Sequence, residues 1–428
     1  MLSTVAMFAI AIFLIAYVLI ATEKFNRVAI VSAGAAAMVL IGAANSETAF
    51  FSEETGIDWN VIFLLLGMMI IVSVIHKTGL FEYLAVRSIQ FVGGRPKAAF
   101  VAIMLLVAVA SALLDNVTTI LLAVPMIFLV SKYLDVKPMP FILGAVFVSN
   151  IGGAATLIGD PPNIIIGSKA GLSFNDFLIH MAPMAALVLL VVLPLLVFMF
   201  RKDLANGPED RAKVRSLVPS SYISDRTLLI KSVSVLALVI AAFVLHSIVH
   251  IEPALVAMMG AGLLVLISNL KPKDFAMDVE WGTLTFFAGL FVMVGALVHV
   301  GAMGAFADFL AGVVGTDASF AGMVILWVSA LLSGVVDNIP YVASMVPVVA
   351  QLKEALHPID DSMWWALAAG ADFGGNLTMV GASANVVAIG LAAAKGYKIS
   401  FAKFAAYGVP VTLVSVAVAT PYLLFFHF

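Results

Sequence analysis

Continuous apolar runs of about 17–23 residues recur from one end of this chain to the other, and each matches the roughly 20 helical residues that cross about 30 Å of hydrocarbon. Lipid offers a backbone no hydrogen-bond partners, so a spanning run must be a helix or a strand of a closed barrel. Barrel strands alternate apolar and polar residues, and these runs do not. Composition points the same way: 63% of residues are hydrophobic and 11% charged, against roughly 45–50% and about 25% in soluble domains. The expected fold is an all-α polytopic membrane protein. Its net charge of −3 sits in short loops, so the lipid bilayer is an expected partner and nucleic acid is not. Cysteine is absent, which excludes a disulfide framework, a thiolate metal site and catalytic thiol chemistry. The first run, 2–21, lacks a basic n-region and is span-length, so no cleavable signal peptide is expected.

The runs fall near 2–21, 28–44, 60–76, 98–131, 141–168 and 179–200, and then near 229–249, 254–270, 282–298, 321–350, 363–394 and 408–426. Between the two series lies the most polar segment, 201–227, with Asn206-Gly207-Pro208 and mixed charges, which reads as a solvated linker. A single shift of 222 positions pairs the halves without a gap from Trp59 to Asn163. Trp59 pairs with Trp281, Asp115 with Asp337, Asn116 with Asn338, Pro125 with Pro347, Gly152-Gly153 with Gly374-Gly375, Thr156 with Thr378 and Asn163 with Asn385. Chance similarity between apolar sequences matches Leu with Val; it does not match these residues in register. Two repeats follow, 1–200 and 228–428. Each holds five crossings, one of them a broken helix (141–168 or 363–394), and one hairpin-like stretch (98–131 or 321–350). Five is odd, so the second repeat is expected to be inverted, as in many transporters. Arms of about 15–17 residues lean towards a re-entrant hairpin over two short spans.

Charge in the loops gives a separate test, since basic residues collect on the cytoplasmic side. With both termini periplasmic, 20 of the 22 Lys and Arg fall inside and only Lys169 and Lys353 outside. The loop at 45–60 carries Glu47, Glu53, Glu54 and Asp58 with no base. The expected location is the cell inner membrane.

Nearly every charge belongs to a loop; the exceptions are Asp115, Asp160, Asp337 and Asp372, with no Lys or Arg at comparable depth. An intramembrane carboxylate costs several kcal/mol and marks a functional site unless it is partnered. The bland alternative, that these aspartates only cap helix breaks, is compatible with a functional role. Asp115-Asn116-Val117-Thr118-Thr119 and Asp337-Asn338-Ile339-Pro340 are poor helix interiors and good turns. The second pair of clusters runs from Asn150 through Gly152-Gly153, Thr156 and Asp160-Pro161-Pro162 to Asn163, and from Asp372 through Gly374-Gly375, Asn376, Thr378 and Ser383 to Asn385. Paired glycines and prolines interrupt a helix and free carbonyls and amides that protein, water or cargo must satisfy. Glycine-mediated packing would explain the glycines but not the accompanying Asp, Asn and Thr. Four breaks meeting near the midplane would form an oxygen-rich site suited to protons, hard cations or a polyhydroxylated neutral solute, and poorly to a free anion. Four carboxylates in one cavity cannot all be ionised together, so Asp115, Asp160, Asp337 and Asp372 are the candidates for proton coupling. His76, His299 and His357 fall at loop edges and read as ordinary interfacial residues.

The tips and the Asn150 to Asn163 segment together resemble the paired signatures of the ion transporter superfamily. They look closest to the family of arsenite pumps and NhaD-type sodium/proton antiporters, which also includes the human melanosomal P protein. In the related dicarboxylate/sodium carriers, Ser-Asn-Thr hairpin tips and unwound glycine-rich helices form the site. By that resemblance Asp115, Asn116, Thr118, Asp337 and Asn338 are tip residues, and Thr156, Asp160, Asn163, Thr378 and Asn385 belong to unwound segments; Thr119, next to the first tip, is a further candidate for binding. Asp replaces Ser at both tips, which weakens a dicarboxylate reading. The resemblance implies a secondary transporter working by alternating access, with hairpins and broken helices moving against a scaffold. Proton-coupled efflux of arsenite or antimonite ranks first, sodium/proton antiport second, and an organic or inorganic anion permease third. No cofactor is expected beyond the proton motive force, with sodium possible at the breaks; a homodimer and a cytoplasmic arsenite-stimulated ATPase subunit are candidate partners. A channel would need a continuous polar lining and a membrane enzyme a polar pocket open to a loop, and the sequence suggests neither. The topology has a direct check: single cysteines at Ser52 and Ser216 should label from opposite sides of intact cells, and labelling of both from outside would remove the argument for inversion.

Overall fold

The computed structural model describes residues 2–22, 24–205, 212–246, 251–356 and 361–428, and these are helical throughout with no strand. The first half contains α1 (Thr4–Ala21), α2 (Arg27–Leu40), α3 (Ser46–Phe50), α4 (Trp59–His76), α5 (Leu80–Phe91), α6 (Pro96–Leu113), α7 (Asn116–Leu134), α8 (Pro138–Gly153), α9 (Pro161–Ala170) and α10 (Phe174–Met199). After α11 (Ala212–Arg215) come α12 (Arg226–Val244), α13 (Pro253–Ser268), α14 (Pro272–Ala276), α15 (Trp281–His299) and α16 (Ala302–Val314). The chain ends with α17 (Ala318–Ser333), α18 (Asn338–Leu356), α19 (Ser362–Gly374), α20 (Ser383–Ala394) and α21 (Phe401–Phe426). Eight helices among the described residues are long and apolar enough to cross a membrane.

Two bodies can be traced through the packing. α4 lies against α12 and α13, while α2 lies against α1 and α15, and α4 touches α15. These form a frame. The other body joins α6 and α7 to α8, α17 and α18 to α19, and α10 to α21. Backbones in this core approach closely because glycine permits it: a Cβ on Gly152 would lie 2.3 Å from the Ala108 carbonyl oxygen. At the matching place in the second half, a Cβ on Gly374 would lie 2.6 Å from the Ala330 carbonyl oxygen.

The helix breaks fall where the turn residues predict. Asp115 is extended and caps α7, and Asp160 is extended ahead of Pro161 and Pro162, which open α9 without needing N–H partners. The same hydrogen bonds recur 222 residues on. Ser111 Oγ donates to the Ser149 carbonyl at 2.7 Å, and Ser333 Oγ to the Ala371 carbonyl at 2.7 Å. Thr156 Oγ1 donates to Ala112 O and Thr378 Oγ1 to Gly334 O, both at 2.6 Å.

Three expectations change. The hairpin arms α6 and α7 have 18 and 19 residues, more than the 15–17 read from hydropathy, because Pro96 starts the first arm inside a segment taken for loop. Each arm is long enough to cross alone, so arm length does not favour re-entry. The stretch at 77–97, read as a connecting loop, contains the amphipathic helix α5, which follows the left-handed Gly79 (φ 76°) and buries Phe81, Ala85, Val86 and Ile89 on one face; α16 repeats this after Gly301 (φ 75°). The linker is not simply solvated. Gln90 Nε2 donates to the carbonyls of Val214 (3.3 Å) and Leu217 (2.6 Å), and the Ser224 N–H donates to Thr78 O at 2.9 Å. Asn206-Gly207-Pro208 lies outside the described residues, as does His357.

The close α6–α8 contact predicts the cost of filling it. Gly152→Val should abolish recovery of monodisperse protein or lower its melting temperature sharply, because backbone cannot yield to a Cβ at that distance. Gly262→Ala, where nothing lies within 4 Å, should melt like the parent; equal behaviour of the two would refute the packing argument.

Candidate transport site

Asp160 organises the site. Its buried carboxylate accepts hydrogen bonds from Asn116 Nδ2 at 2.6 Å and from Asn338 Nδ2 at 3.3 and 3.4 Å. Those asparagines belong to the tips of the first and second hairpins, so one aspartate gathers both halves. A hydrogen bond to a charged group is worth about 1.5–3 kcal/mol, and all three side chains are buried.

An amide chain extends from that point. Asn116 Nδ2 also reaches Asn150 Oδ1 at 3.2 Å, and Asn150 Nδ2 donates to Asn376 Oδ1 (2.9 Å) and Asn385 Oδ1 (3.1 Å). Asn376 Nδ2 returns to the Phe147 carbonyl at 3.2 Å. Asn163 and Asn385 tie their own breaks: the first donates to Gly153 O and Thr156 O, the second to Gly375 O and Thr378 O. Both amides therefore hold unwound backbone with nitrogen and turn oxygen inward.

Asp372 differs. It is completely buried on α19, against Asn163 and within electrostatic reach of Asp160, yet neither carboxylate oxygen accepts a hydrogen bond of normal geometry, since the Asn163 amide beside it donates to the carbonyls of Gly153 and Thr156. Asn163 Oδ1 and Asn116 Oδ1 are likewise buried acceptors without a partner, and the one unpaired hydroxyl in these segments, Thr119 Oγ1, can donate or accept. Unmatched acceptors thus outnumber unmatched donors. A buried, donor-free carboxylate needs a proton or a cation to be tolerated.

At the tips the two halves diverge. Asp115 is engaged by its own turn, accepting from the Thr118 N–H at 2.8 Å and from Thr118 Oγ1 at 2.5 Å. Asp337 accepts from the Ile339 N–H at 3.0 Å and from Ser383 Oγ at 2.6 Å. Ser383 in turn accepts from Arg27 Nη1 at 2.5 Å, and that nitrogen lies 3.7 Å from Asp337 Oδ2. A cavity of about 250 Å³ borders Arg27, Asp337, Ser383, Phe25 and Val387.

The predicted residues are thus brought together: Asp115, Asp337 and Asp372 all lie within electrostatic reach of Asp160. Two expectations are corrected. A base does reach the aspartates: Arg27 begins α2, and its side chain extends inward from a position that reads as a loop edge. Thr156 and Thr378 spend their hydroxyl protons on hairpin carbonyls, which makes them braces of the breaks rather than free ligands. Glu280, which precedes α15, was not singled out by the sequence; it accepts from Thr283 Oγ1 at 2.9 Å and leaves Oε1 buried and unpaired. Burial pushes its carboxyl up to about 7, Asp115 adding to the effect while Thr283 and Arg27 oppose it. Its only sequence signal is its pairing, at the same shift, with Asp58, which caps α4. His76 and His299 lie in the last turns of α4 and α15, outside this cluster.

A family model described as citrate transporter, CitMHS, matches residues 17–370. An uncharacterized transporter of Mycobacterium bovis is 49% identical over 418 residues, 97% of each chain. The mouse P protein is 35% identical over 501 aligned positions, covering 98% of this chain and 60% of that one. In fold the chain resembles the YdaH transporter of Alcanivorax borkumensis (TM-score 0.61, 14% identity, 98% of both chains). It also resembles MtrF of Neisseria gonorrhoeae, described as one of a class of antimetabolite efflux pumps (TM-score 0.62, 11% identity, 100% and 95% covered).

The different surroundings of the two central aspartates predict opposite stability effects. Asp160→Asn sets an amide against the two amide donors of Asn116 and Asn338 and should cost about 1–3 kcal/mol, read as a lower melting temperature. Asp372→Asn gives Asn163 Oδ1 a donor and should melt at or above the parent. The reverse order would show that the acceptor shortage at Asp372 is not real.

Proposed function

The chain belongs to the CitMHS citrate transporter family, and we propose that within it the protein is a proton-coupled secondary transporter exporting a small polyhydroxylated inorganic solute of the arsenite type. The observation that carries this reading is the donor-poor oxygen cluster of Asp372, Asn163 and Asn116 beside the tip-gathering Asp160. Arsenite at neutral pH is mostly an uncharged trihydroxide, and three O–H donors match a surplus of acceptors. Antimonite has the same chemistry. With no cysteine in the chain, oxygen ligands are what this protein has to offer. Transport of this kind needs no covalent step: the carboxylates bind, release and neutralise, and the protein is not an enzyme.

The same surplus of acceptors favours a second reading, sodium/proton antiport, since a hard cation also binds carboxylate and carbonyl oxygen. A free tricarboxylate fits less well than either, because it would meet Asp115, Asp160 and Asp372 in a centre whose nearest base, Arg27, is already engaged by Asp337. We place the protein in the cell inner membrane as two inverted repeats, 1–200 and 228–428, joined by a cytoplasmic linker, with periplasmic termini and both hairpins moving with the broken helices. That arrangement rests on the distribution of Lys and Arg and on the hydrogen bonds that recur between the halves.

Purified protein in vesicles should move arsenite against an imposed proton gradient and show little sodium-dependent proton release. Sodium-dependent pH change without arsenite flux would put the second reading first. Citrate uptake with neither would overturn both.

A further inference from the structure

Arg27 does not belong to the body that carries the aspartates. It opens α2, which packs on α1 and α15 of the frame, and its guanidinium lies 5.4 Å from the centre of the Phe286 ring on α15. Its other contacts cross to the core, to Ser383 at the start of α20 and to Asp337 at the second hairpin tip. Among the described residues no such contact exists in the first half. Pro161 takes the place of Ser383, and Asp115 has no ion pair among the described residues. On its other side Arg27 shares a surface hollow with Glu280, which is fixed to the same frame.

We propose that Arg27 is a positioning residue that acts as an internal counter-cation, neutralising Asp337 when the site is empty and leaving it when the core moves along the frame. The charge accounting follows from the bodies to which each group is attached. Asp337 travels with the hairpin; Arg27 and Glu280 stay behind. Once separated, Arg27 has Glu280 as its remaining carboxylate partner, and Asp337 must take a proton or a cation in its place to remain buried. Return of the empty core restores the Arg27 contact. Movement of the core is thereby tied to the loading of Asp337. The inference deepens the proposed proton coupling but does not depend on which solute is carried.

The absence of native cysteine allows a test that needs no cargo. A single cysteine replaces Val387, which lines the cavity beside Arg27 and Asp337, and its maleimide labelling rate in membranes is normalised to that of a cysteine at Ser216. Above the titration of Asp337 the Arg27 contact should hold this cavity open. Acidification should then slow labelling about fivefold, the effect of a partly exposed ion pair, Arg27 being 37% and Asp337 12% exposed. Arg27→Gln should label slowly at every pH, Arg27→Lys should restore much of the response, and adding Asp337→Asn to Arg27→Gln should change nothing further. The other ionisable groups near Asp337 are Tyr17 on α1, Tyr341 on α18 and Asp160 in the first break; Glu280 lies beside Arg27. A pH response that survives Arg27→Gln, or that disappears in Glu280→Gln but persists in Asp337→Asn, would overturn the proposal. Melting temperatures of all variants exclude misfolding as the cause, and a negative result here leaves the vesicle flux experiment unaffected.

Discussion

The site depends on one buried carboxylate that is satisfied from two directions. Asp160 would be costly at this depth without partners, and its partners are the first helical residues after each hairpin tip. Separating either tip from the broken helix would strand an acceptor and expose an amide. The two hairpins and the first break are therefore coupled through this carboxylate, and the Asn150 amide chain carries the coupling on to the second break. Apolar packing cannot provide that coupling alone, because hydrocarbon side chains pack about as well against lipid as against each other.

A core held together in this way can move as a unit if its contacts with the frame are few and replaceable. On one side Ser168 Oγ of α9 donates to Asp58, the cap of α4, at 2.6 Å, and Lys169 reaches the Glu53 carbonyl at 2.8 Å. On the other side Arg27 bonds Ser383 and faces Asp337, while α15 packs on α18, and Asn175 of α10 donates to the Val244 carbonyl of α12 at 2.8 Å. The two halves therefore meet the frame at different levels: near the far end of α9 in one, at the very start of α20 in the other. Ser168 corresponds to Gly390 at the same shift, and nothing lies within 4 Å of a Cβ there. The duplicated skeleton is in one arrangement on one side and a different arrangement on the other, as an asymmetric state of two similar halves requires.

Much of this is legible in the sequence because it follows from strong local rules. Span-length apolar runs, Asp-Asn turns, glycine pairs and Pro161-Pro162 each forbid alternatives, and the shift of 222 positions doubles the evidence for every break. The sites of Asp115, Asp160, Asp337 and Asp372 follow from the cost of a charge in lipid. What escaped depends on reach or on weak periodicity. Arg27 lies at a helix start and counts as a loop base until its long side chain is seen to bend inward. The amphipathic α5 is short, and its polar face resembles a charged loop. Thr156 and Thr378 look like ligands by composition; only the position of the neighbouring hairpin carbonyl shows their hydroxyls to be occupied.

The departures from symmetry are confined to a few residues, and their chemistry explains why. Asp160 is matched by Ala382, and Asp372 by Asn150. Perfect duplication of the first half would give a second Asp160 competing for the same two tip amides, since Asn116 and Asn338 already converge on one carboxylate. Duplication of the second half would give two donor-free carboxylates and no Asn150 to bridge Asn116 with Asn376 and Asn385. Either symmetric centre would hold two carboxylates, as the present one does, but would give both the same surroundings and so the same role. Exchanging carboxylate for amide at one position, and carboxylate for methyl at another, leaves one aspartate that fastens the structure and one whose oxygens have no donor among the described residues. The backbone could remain a repeat because helix breaks serve both halves equally. The centre could not, because a single carboxylate must accept the amides of both tips.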